Sequence, residues 1–244
     1  MPKPHQAELI YQYPPLSSGT LIKRYKRFFA DIELDSGEVV TAHCPNTGPM
    51  TGIYIPGNRV WISHSDNPKR KLKYTWELIE VDDNGPAWVG VNTMLPNRVT
   101  KLLLEKRCIP ELADFEQLKT EVPYGQEKSR VDFLLTDAAG QRTYVEVKNT
   151  TWVEGQKALF PDTVTTRGQK HLREMTALLP QERACMLYFI NRGDCTSFAP
   201  GDTTDPHYGQ LLREAVDAGM KVFPCRFDVS PEGLTFQGLA TLDL

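Results

Sequence analysis

Polar and apolar positions alternate along residues 129–135 and again along residues 144–148. Ser129-Arg130-Val131-Asp132-Phe133-Leu134-Leu135 and Tyr144-Val145-Glu146-Val147-Lys148 each show the period of two that a half-buried strand requires. The stretch between them, residues 136–142, is polar and holds one glycine, so it reads as a turn. The pattern predicts a β-hairpin. Upstream, residues 21–34 read as one long strand, 35–37 as a turn and 38–43 as the returning strand. Residues 59–64, 74–81 and 87–91 are further strands, and residues 7–19, with Pro14, Pro15 and Gly19, read as an extended lead-in segment. About five short strands in under a hundred residues predict a small barrel or sandwich, with a five-stranded OB-type barrel preferred.

The rhythm changes after the turn at residues 82–86. Pro96 sets up a helix over residues 98–106, built of strong helix formers with one apolar face. Residues 165–179 read as a helix ended by Pro180, and 207–219 as a helix stopped by Gly219. Residues 118–122 form a short strand ahead of the hairpin. Residues 184–190 are apolar throughout, which predicts a central strand buried on both faces. Residues 221–227 read as the last strand. The order α-β-β-β-α-β-α-β indicates an α/β domain with a mixed sheet. The chain therefore divides into a barrel over residues 1–85 and a mixed α/β domain over residues 86–244.

Composition narrows the field. At 40% hydrophobic and 24% charged over 244 residues, the chain is ordinary for a globular protein. It has no apolar run long enough to span a membrane. Residues 1–6 lack the charged-then-apolar layout of a secretory signal, so the cytoplasm is the expected location. The five cysteines are scattered and form no C-x-x-C pair, which argues against a disulfide framework and a cysteine-rich zinc site. A formal charge of −3 gives no global bias towards nucleic acid, so any such surface must be a local patch.

Two basic clusters offer themselves in the barrel. Lys23, Arg24, Lys26 and Arg27 are interleaved with Tyr25 and Phe28; Lys69, Arg70, Lys71 and Lys73 adjoin Tyr74 and Trp76. Single-strand binders combine cationic grooves with aromatic platforms in this way. A solvated strand face with its aromatics in the core explains the same pattern and is preferred on sequence grounds. Between these clusters, residues 42–52 carry two Pro and two Gly and read as a structured loop, in which Asn46 and Thr47 cap local backbone or hold a ligand. His43 beside Cys44 is not followed by a second ligand pair at zinc spacing.

The chemistry concentrates in the hairpin. Glu146 and Lys148 lie two apart and share a strand face. Buried carboxylates are costly unless paired or bound to metal. With Asp132 turned the same way, two acids and an amine converge into a site for a divalent ion, Mg²⁺ or Mn²⁺, with a lysine beside it. Glu121, the next acid on the preceding strand, is placed to complete the shell or hold a second ion. A lone E-x-K is common, whereas an Asp with E-x-K fourteen residues on is more specific. A plain Glu–Lys network on an exposed sheet face remains the competing reading. Arg167, Lys170 and His171 share one helical face suited to DNA phosphates, with a solvated helix face as the alternative.

Taken in order, several stretches carry a resemblance. They are residues 21–28, His43-Cys44-Pro45-Asn46-Thr47-Gly48, Val91-Asn92-Thr93 with Asn97-Arg98, Tyr124-Gly125, Ser129-Arg130-Val131-Asp132-Phe133, Glu146-Val147-Lys148, Phe160-Pro161-Asp162 and Arg167-Gly168-Gln169-Lys170-His171-Leu172. The hairpin resembles the PD-(D/E)xK nuclease signature, with Val131 at its first position. From about residue 10 to the end, the chain resembles the sugar fermentation stimulation protein A (SfsA) family. That resemblance implies an N-terminal OB-like domain and a C-terminal nuclease-like domain. It also implies DNA binding without strong sequence preference, and a regulatory role in sugar (maltose) metabolism in bacteria. The nuclease residues carry over as Asp132, Glu146 and Lys148. Three functions stay open: a Mg²⁺-dependent nuclease that binds DNA, a non-catalytic DNA-binding regulator, and an RNA-processing enzyme, since OB domains also accept RNA. No membrane partner is expected, and the sequence does not specify an oligomeric state.

Overall fold

The chain opens in one sheet, builds a second, and then returns to the first. The structure, a computed structural model, describes residues 8–244; the six residues read for a secretory signal, and residue 7 of the lead-in segment, lie outside them. β1 (Glu8–Gln12) is followed by β2 (Leu16–Tyr25), β3 (Phe29–Leu34), β4 (Val39–His43), β5 (Arg59–His64), β6 (Tyr74–Asp82) and β7 (Pro86–Gly90). β2 to β7 form a six-stranded sheet in the order β4-β3-β2-β5-β6-β7, and a parallel pairing of β4 with β6 brings its ends together. Inward positions such as Leu21, Ile32, Val60, Ile62, Trp76 and Ile79 fill its core. This is the OB-like unit.

Three expectations change here. The long strand over 21–34 is two strands, β2 and β3, joined by a tight turn in which Lys26 (φ 48°) and Arg27 (φ 66°) are left-handed. Two basic residues occupy positions that Gly or Asn usually marks, so the pattern carried no turn signal. β7 pairs with β6, so the chain leaves the barrel sheet after Gly90 and not at residue 85. β1, inside the predicted lead-in segment, is a strand of the other sheet, paired with its β16 (Gly233–Leu239).

The second unit continues with α1 (Leu95–Glu105), which has proline in its first turn, then β8 (Gln117–Tyr124), β9 (Ser129–Thr136) and β10 (Arg142–Thr150). Next come β11 (Trp152–Glu154), β12 (Lys157–Phe160), α2 (Thr166–Thr176), β13 (Arg183–Ile190), β14 (Ser197–Pro200), α3 (Pro206–Asp217), β15 (Lys221–Val229), β16 and β17 (Thr241–Leu242). The main sheet has the order β1-β16-β15-β13-β10-β9-β8. β13 lies parallel to both β10 and β15 and is buried after Arg183, as its apolar run predicts. The expected last strand, 221–227, is followed by β16 and β17. A smaller sheet runs β11-β12-β14-β17. α1 packs on one face through Val99 and Leu103 against Val145 and Leu187. α2 and α3 cover the other face through Leu172, Met175, Tyr208 and Leu212 against Met186 and Tyr188.

The two units are locked together. Arg192, buried beyond β13, reaches Asp83 of the β6–β7 turn at 2.6 Å, Asp194 at 2.6 Å and the Thr151 carbonyl at 2.9 Å. The Gly90 N–H donates to the Asn191 carbonyl at 2.9 Å, and a Cβ on Gly90 would run into the Asn191 side chain.

Candidate active site

The hairpin ladder opens at Asp132. β9 and β10 pair from Thr136 with Arg142 to Phe133 with Val145, and there the ladder stops. In place of the next backbone bond, Asp132 Oδ2 accepts the Val147 N–H at 2.7 Å. The side chain thus wedges the strands apart. Its Oδ1 accepts from Asn97 Nδ2, in the first turn of α1, at 2.7 Å. In the sequence Asn97 stands beside Pro96 at a helix start, where Asn ordinarily serves as a cap, and among the residues that carry the resemblance, and neither reading gave it a place at Asp132.

Glu146 and Lys148 share a face of β10, as their spacing requires, and Lys148 Nζ donates to Glu146 Oε1 at 2.7 Å. His171 on α2 sends Nδ1 to the same oxygen, with Lys148 Nζ 3.4 Å from that nitrogen. Behind it, Arg167 Nε donates to His171 Nε2 at 3.5 Å. His171 therefore does not stand on a solvated helix surface. It is buried and braces Glu146. α2 is held in place by Thr165, whose hydroxyl caps the Gly168 N–H, and by Asp205, whose carboxylate accepts from Thr165 N, Gln169 Nε2 and Tyr208 N.

The charges do not balance. Burial pushes the Glu146 carboxyl up, but Lys148 and His171 outweigh it and hold it below the usual carboxylate range. Burial and the neighbouring Glu146 charge push Asp132 up to about 6. Glu146 Oε2 is buried with no hydrogen-bond partner. One lysine thus serves one buried and one half-buried acid, and one carboxylate oxygen faces nothing. These donors fit a hard divalent cation, which binds oxygen and favours carboxylates. Among the described residues no three His, Cys, Asp or Glu side chains converge to hold a metal ion as they stand. Glu121 does not join the pair. It stands opposite Asp132 in the β8–β9 register, but at φ 54° it is left-handed and exposed.

Glu121 instead lines an open groove of about 600 Å3 beside the site, together with Lys128, Arg130, Arg167, Lys170, His171 and Arg173. Lys128, Arg130 and Arg173 were not singled out as phosphate contacts from sequence, because they come from a turn, the start of β9 and a helix far along the chain. The turn between β8 and β9 is clamped by buried Glu174, which accepts from the Glu127 N–H at 2.7 Å and from the Ser129 hydroxyl. Gly125 (φ 70°) passes so close to Glu174 that a Cβ there would strike it.

The barrel clusters sit elsewhere, on the β2–β3 turn and the loop after β5, and several of their members have structural work. Arg24 donates to the carbonyls of Asn46 at 2.8 Å and Gly48 at 2.9 Å, and Arg70 donates to the Thr75 hydroxyl at 2.8 Å. Lys23 lies 3.5 Å from Asp31. Lys26, Arg27, Lys69 and Lys71 are exposed. Trp76 is in the core and Tyr25 stacks on Phe29, so neither is an open platform. In the 42–52 loop, Asn46 Oδ1 caps the Gly48 N–H at 2.9 Å. Cys44 is a buried thiol beside Met50, which makes it core packing and not a metal ligand. Among the described residues no helix is long and apolar enough to cross a membrane.

Comparison with known proteins accounts for both units. Residues 22–91 match the family model described as the SfsA N-terminal OB domain, and residues 94–233 match the sugar fermentation stimulation protein RE domain. A sugar fermentation stimulation protein homolog of Cyanothece sp. is 69% identical over 98% of this chain and 100% of its own length. The homolog of Synechococcus elongatus is 68% identical over 96% of this chain and 98% of its own. Among solved structures, Pyrococcus furiosus SfsA in complex with Ca²⁺ superposes with a TM-score of 0.87 at 25% identity, covering 98% of this chain and 100% of that one. The barrel, the mixed sheet and the forked hairpin all fall within these matches, and the chain belongs to the sugar fermentation stimulation protein (SfsA) family.

Proposed function

We propose that this protein binds DNA through its basic groove and hydrolyses phosphodiester bonds at a divalent ion, Mg²⁺ or Mn²⁺, held by Asp132 and Glu146. The observation that carries the reading is the orphaned Glu146 Oε2 beside an Asp132 whose carboxyl is pushed up to about 6. Two acids crowded in this way await a cation, and the Pyrococcus relative was solved with Ca²⁺. The bound ion supplies a water of lowered pKa and neutralises charge on the phosphate.

The chain's own residues do the rest. Asn97 and the Val147 N–H fix both oxygens of Asp132, so the carboxylate presents its remaining lone pairs in one direction. His171 holds Glu146 Oε1, which leaves Oε2 for the ion. Lys148 Nζ sits at the same carboxylate and is placed to orient the attacking water or neutralise a non-bridging oxygen. Arg167, Lys170, Lys128 and Arg130 offer phosphate contacts along the groove, which position the strand without reading its sequence. An action on sugar metabolism, as the relatives' description states it, would follow from binding DNA.

One feature favours a second reading. Lys148 Nζ is already engaged by Glu146, so the lysine also suits a non-catalytic binder in which it only neutralises the acid. The test is incubation with plasmid, single-stranded DNA and RNA, with Mg²⁺ or Mn²⁺, beside Lys148→Ala. Cleavage lost in the variant supports the enzyme. Binding that survives in both proteins with no substrate cut leaves the binder. Cleavage confined to RNA moves the substrate class.

A further inference from the structure

We propose that the cavity at the seam of the two units, walled by Asn46, Thr93, Asn149, Trp152, Phe160 and Asp162, receives one unstacked nucleobase of the strand whose phosphate lies at Lys148. The inference rests on the nucleic-acid reading above and names the part of the substrate that the basic groove does not hold. It also gives a role to two stretches that the phosphodiesterase site leaves unused, the 42–52 loop and Phe160-Pro161-Asp162.

Size and position come first. The cavity is about 220 Å3. That is below the roughly 300–1,000 Å3 of pockets for drug-sized ligands, so it takes a single ring system. Thr150 also lines it. Thr150 follows Lys148 by two residues on β10, hence on the same strand face and about 7 Å farther along. A base carried by a phosphate at Lys148 is within reach of the opening.

The walls supply what a base needs. Trp152 and Phe160 are half-buried rings, and bases stack on such rings whatever their identity. Both rings are held. Trp152 lies against Gly201, where a Cβ would come within 2.8 Å of it, and Phe160 packs on Tyr188 and Tyr208 at 5.7 and 5.3 Å between centroids. The edge of a base alternates N–H donors with ring-nitrogen or carbonyl acceptors. Asn46 uses its Oδ1 on the Gly48 N–H, which leaves its NH2 as the donor at the wall. The Asp162 carboxylate accepts from the Thr51 N–H and retains lone pairs for a second donor. The loop that carries Asn46 is pinned from both sides. Arg24 holds its carbonyls, and the Thr93 hydroxyl donates to the Pro45 carbonyl at 3.0 Å. Asn46 and Gly48 come from the barrel unit, while Asn149 to Asp162 come from the sheet unit. The cavity therefore exists only because Arg192, Asp83, Asn191 and Gly90 lock the units in one arrangement.

The test uses the full chain and Trp152 fluorescence, with Trp152→Phe defining the signal from the other tryptophans. Deoxynucleoside 5′-monophosphates are titrated beside deoxyribose 5-phosphate, which lacks the base, and maltose, which also stacks on aromatic rings. The expected result is saturable change with the nucleotides, at least tenfold weaker with deoxyribose 5-phosphate and with maltose. Asn46→Asp keeps the cap on Gly48 but removes both donors, and Asp162→Asn keeps an acceptor for Thr51. Each should weaken the nucleotides at least tenfold with an unchanged far-ultraviolet spectrum. Nucleotides that bind no better than deoxyribose 5-phosphate, tighter binding of maltose, or wild-type affinity in Asn46→Asp would each overturn the proposal. The two readings fail separately. Lys148-dependent cleavage without base-dependent binding sinks only the pocket. Base-dependent binding without any cleavage sinks only the phosphodiesterase and leaves the pocket as part of a binding protein.

Discussion

Replacing Asp132 by Asn should stabilise the ion-free protein, and the amount can be worked from the site. The carboxyl stands at about 6, against an ordinary value of 3.8, because burial and the Glu146 charge both oppose its ionisation. A folded-state value raised above the unfolded one means that the folded protein holds the proton more tightly. The penalty is therefore absent below about pH 4, grows between about pH 4 and 6, and is complete above that. The rise from 3.8 to about 6, at about 1.4 kcal/mol per tenfold change in proton affinity, comes to about 3 kcal/mol, and partial exposure trims it to about 2–3 kcal/mol. Asn preserves the shape. Its oxygen still accepts the Val147 N–H, and its NH2 donates to Asn97 once that amide is turned over. Urea denaturation in EDTA should show the variant's midpoint above wild type at pH 8 and equal to it near pH 4, with unchanged slope. Addition of Mg²⁺ or Ca²⁺ should reverse the order at pH 8. A ligand at a thousand times its Kd adds about 4.1 kcal/mol to wild type, more than the variant's advantage, while the variant has lost a charged ligand. A variant less stable than wild type at pH 8 without ions, or a difference that does not shrink towards pH 4, would refute the reasoning.

Other perturbations separate bracing from contact. His171→Ala leaves Glu146 Oε1 to Lys148 alone and should cost about 1–3 kcal/mol at neutral pH by urea melts. Because His171 helps hold the Glu146 carboxyl below its ordinary value of 4.5, that loss should be full above about pH 4.5 and fade only below it, as pH falls through the lowered folded-state value and wild type is protonated too. Arg192→Ala strands Asp83 and Asp194 at the seam and should cost about 3–5 kcal/mol, read as a lowered calorimetric Tm. Arg130→Ala and Arg167→Ala should each lower the slope of log affinity for DNA against log salt by about 0.7–0.9. Arg24→Ala, whose guanidinium serves the Asn46 and Gly48 carbonyls, should leave that slope unchanged and instead lower stability by about 2 kcal/mol.

These contrasts follow from what a linear pattern can and cannot carry. Asp132, Glu146 and Lys148 stood out because charged residues interrupt strands otherwise built for burial, and the period of two fixed the common face of Glu146 and Lys148 before any fold was known, with Asp132 only expected to turn the same way. The strength of that reading is local: both strands belong to one hairpin. Asn97 and His171 reach the same acids from helices 35 and 25 residues away, and only the packing of α1 and α2 on opposite faces of the sheet decides which helical residue meets Asp132 or Glu146. Helix periodicity placed Arg167, Lys170 and His171 on one face correctly but had no means of telling which end of that face is buried. The same limit explains Arg24 and Arg70. A cationic run looks alike whether it meets phosphate or its own carbonyls, and the difference lies in a loop twenty-two residues away for Arg24. The barrel's edge was missed for a related reason. Residues 87–91 read as a strand, but only its pairing with β6 assigns β7 to the barrel sheet across the turn at 82–86, and β1 became a strand only because β16, more than two hundred residues on, offers it a partner. Local charge in a buried pattern thus singles out the acids and the lysine that cluster at the hairpin, whereas the residues that hold them, and so set whether an ion and a strand can be accepted together, are specified by tertiary packing alone.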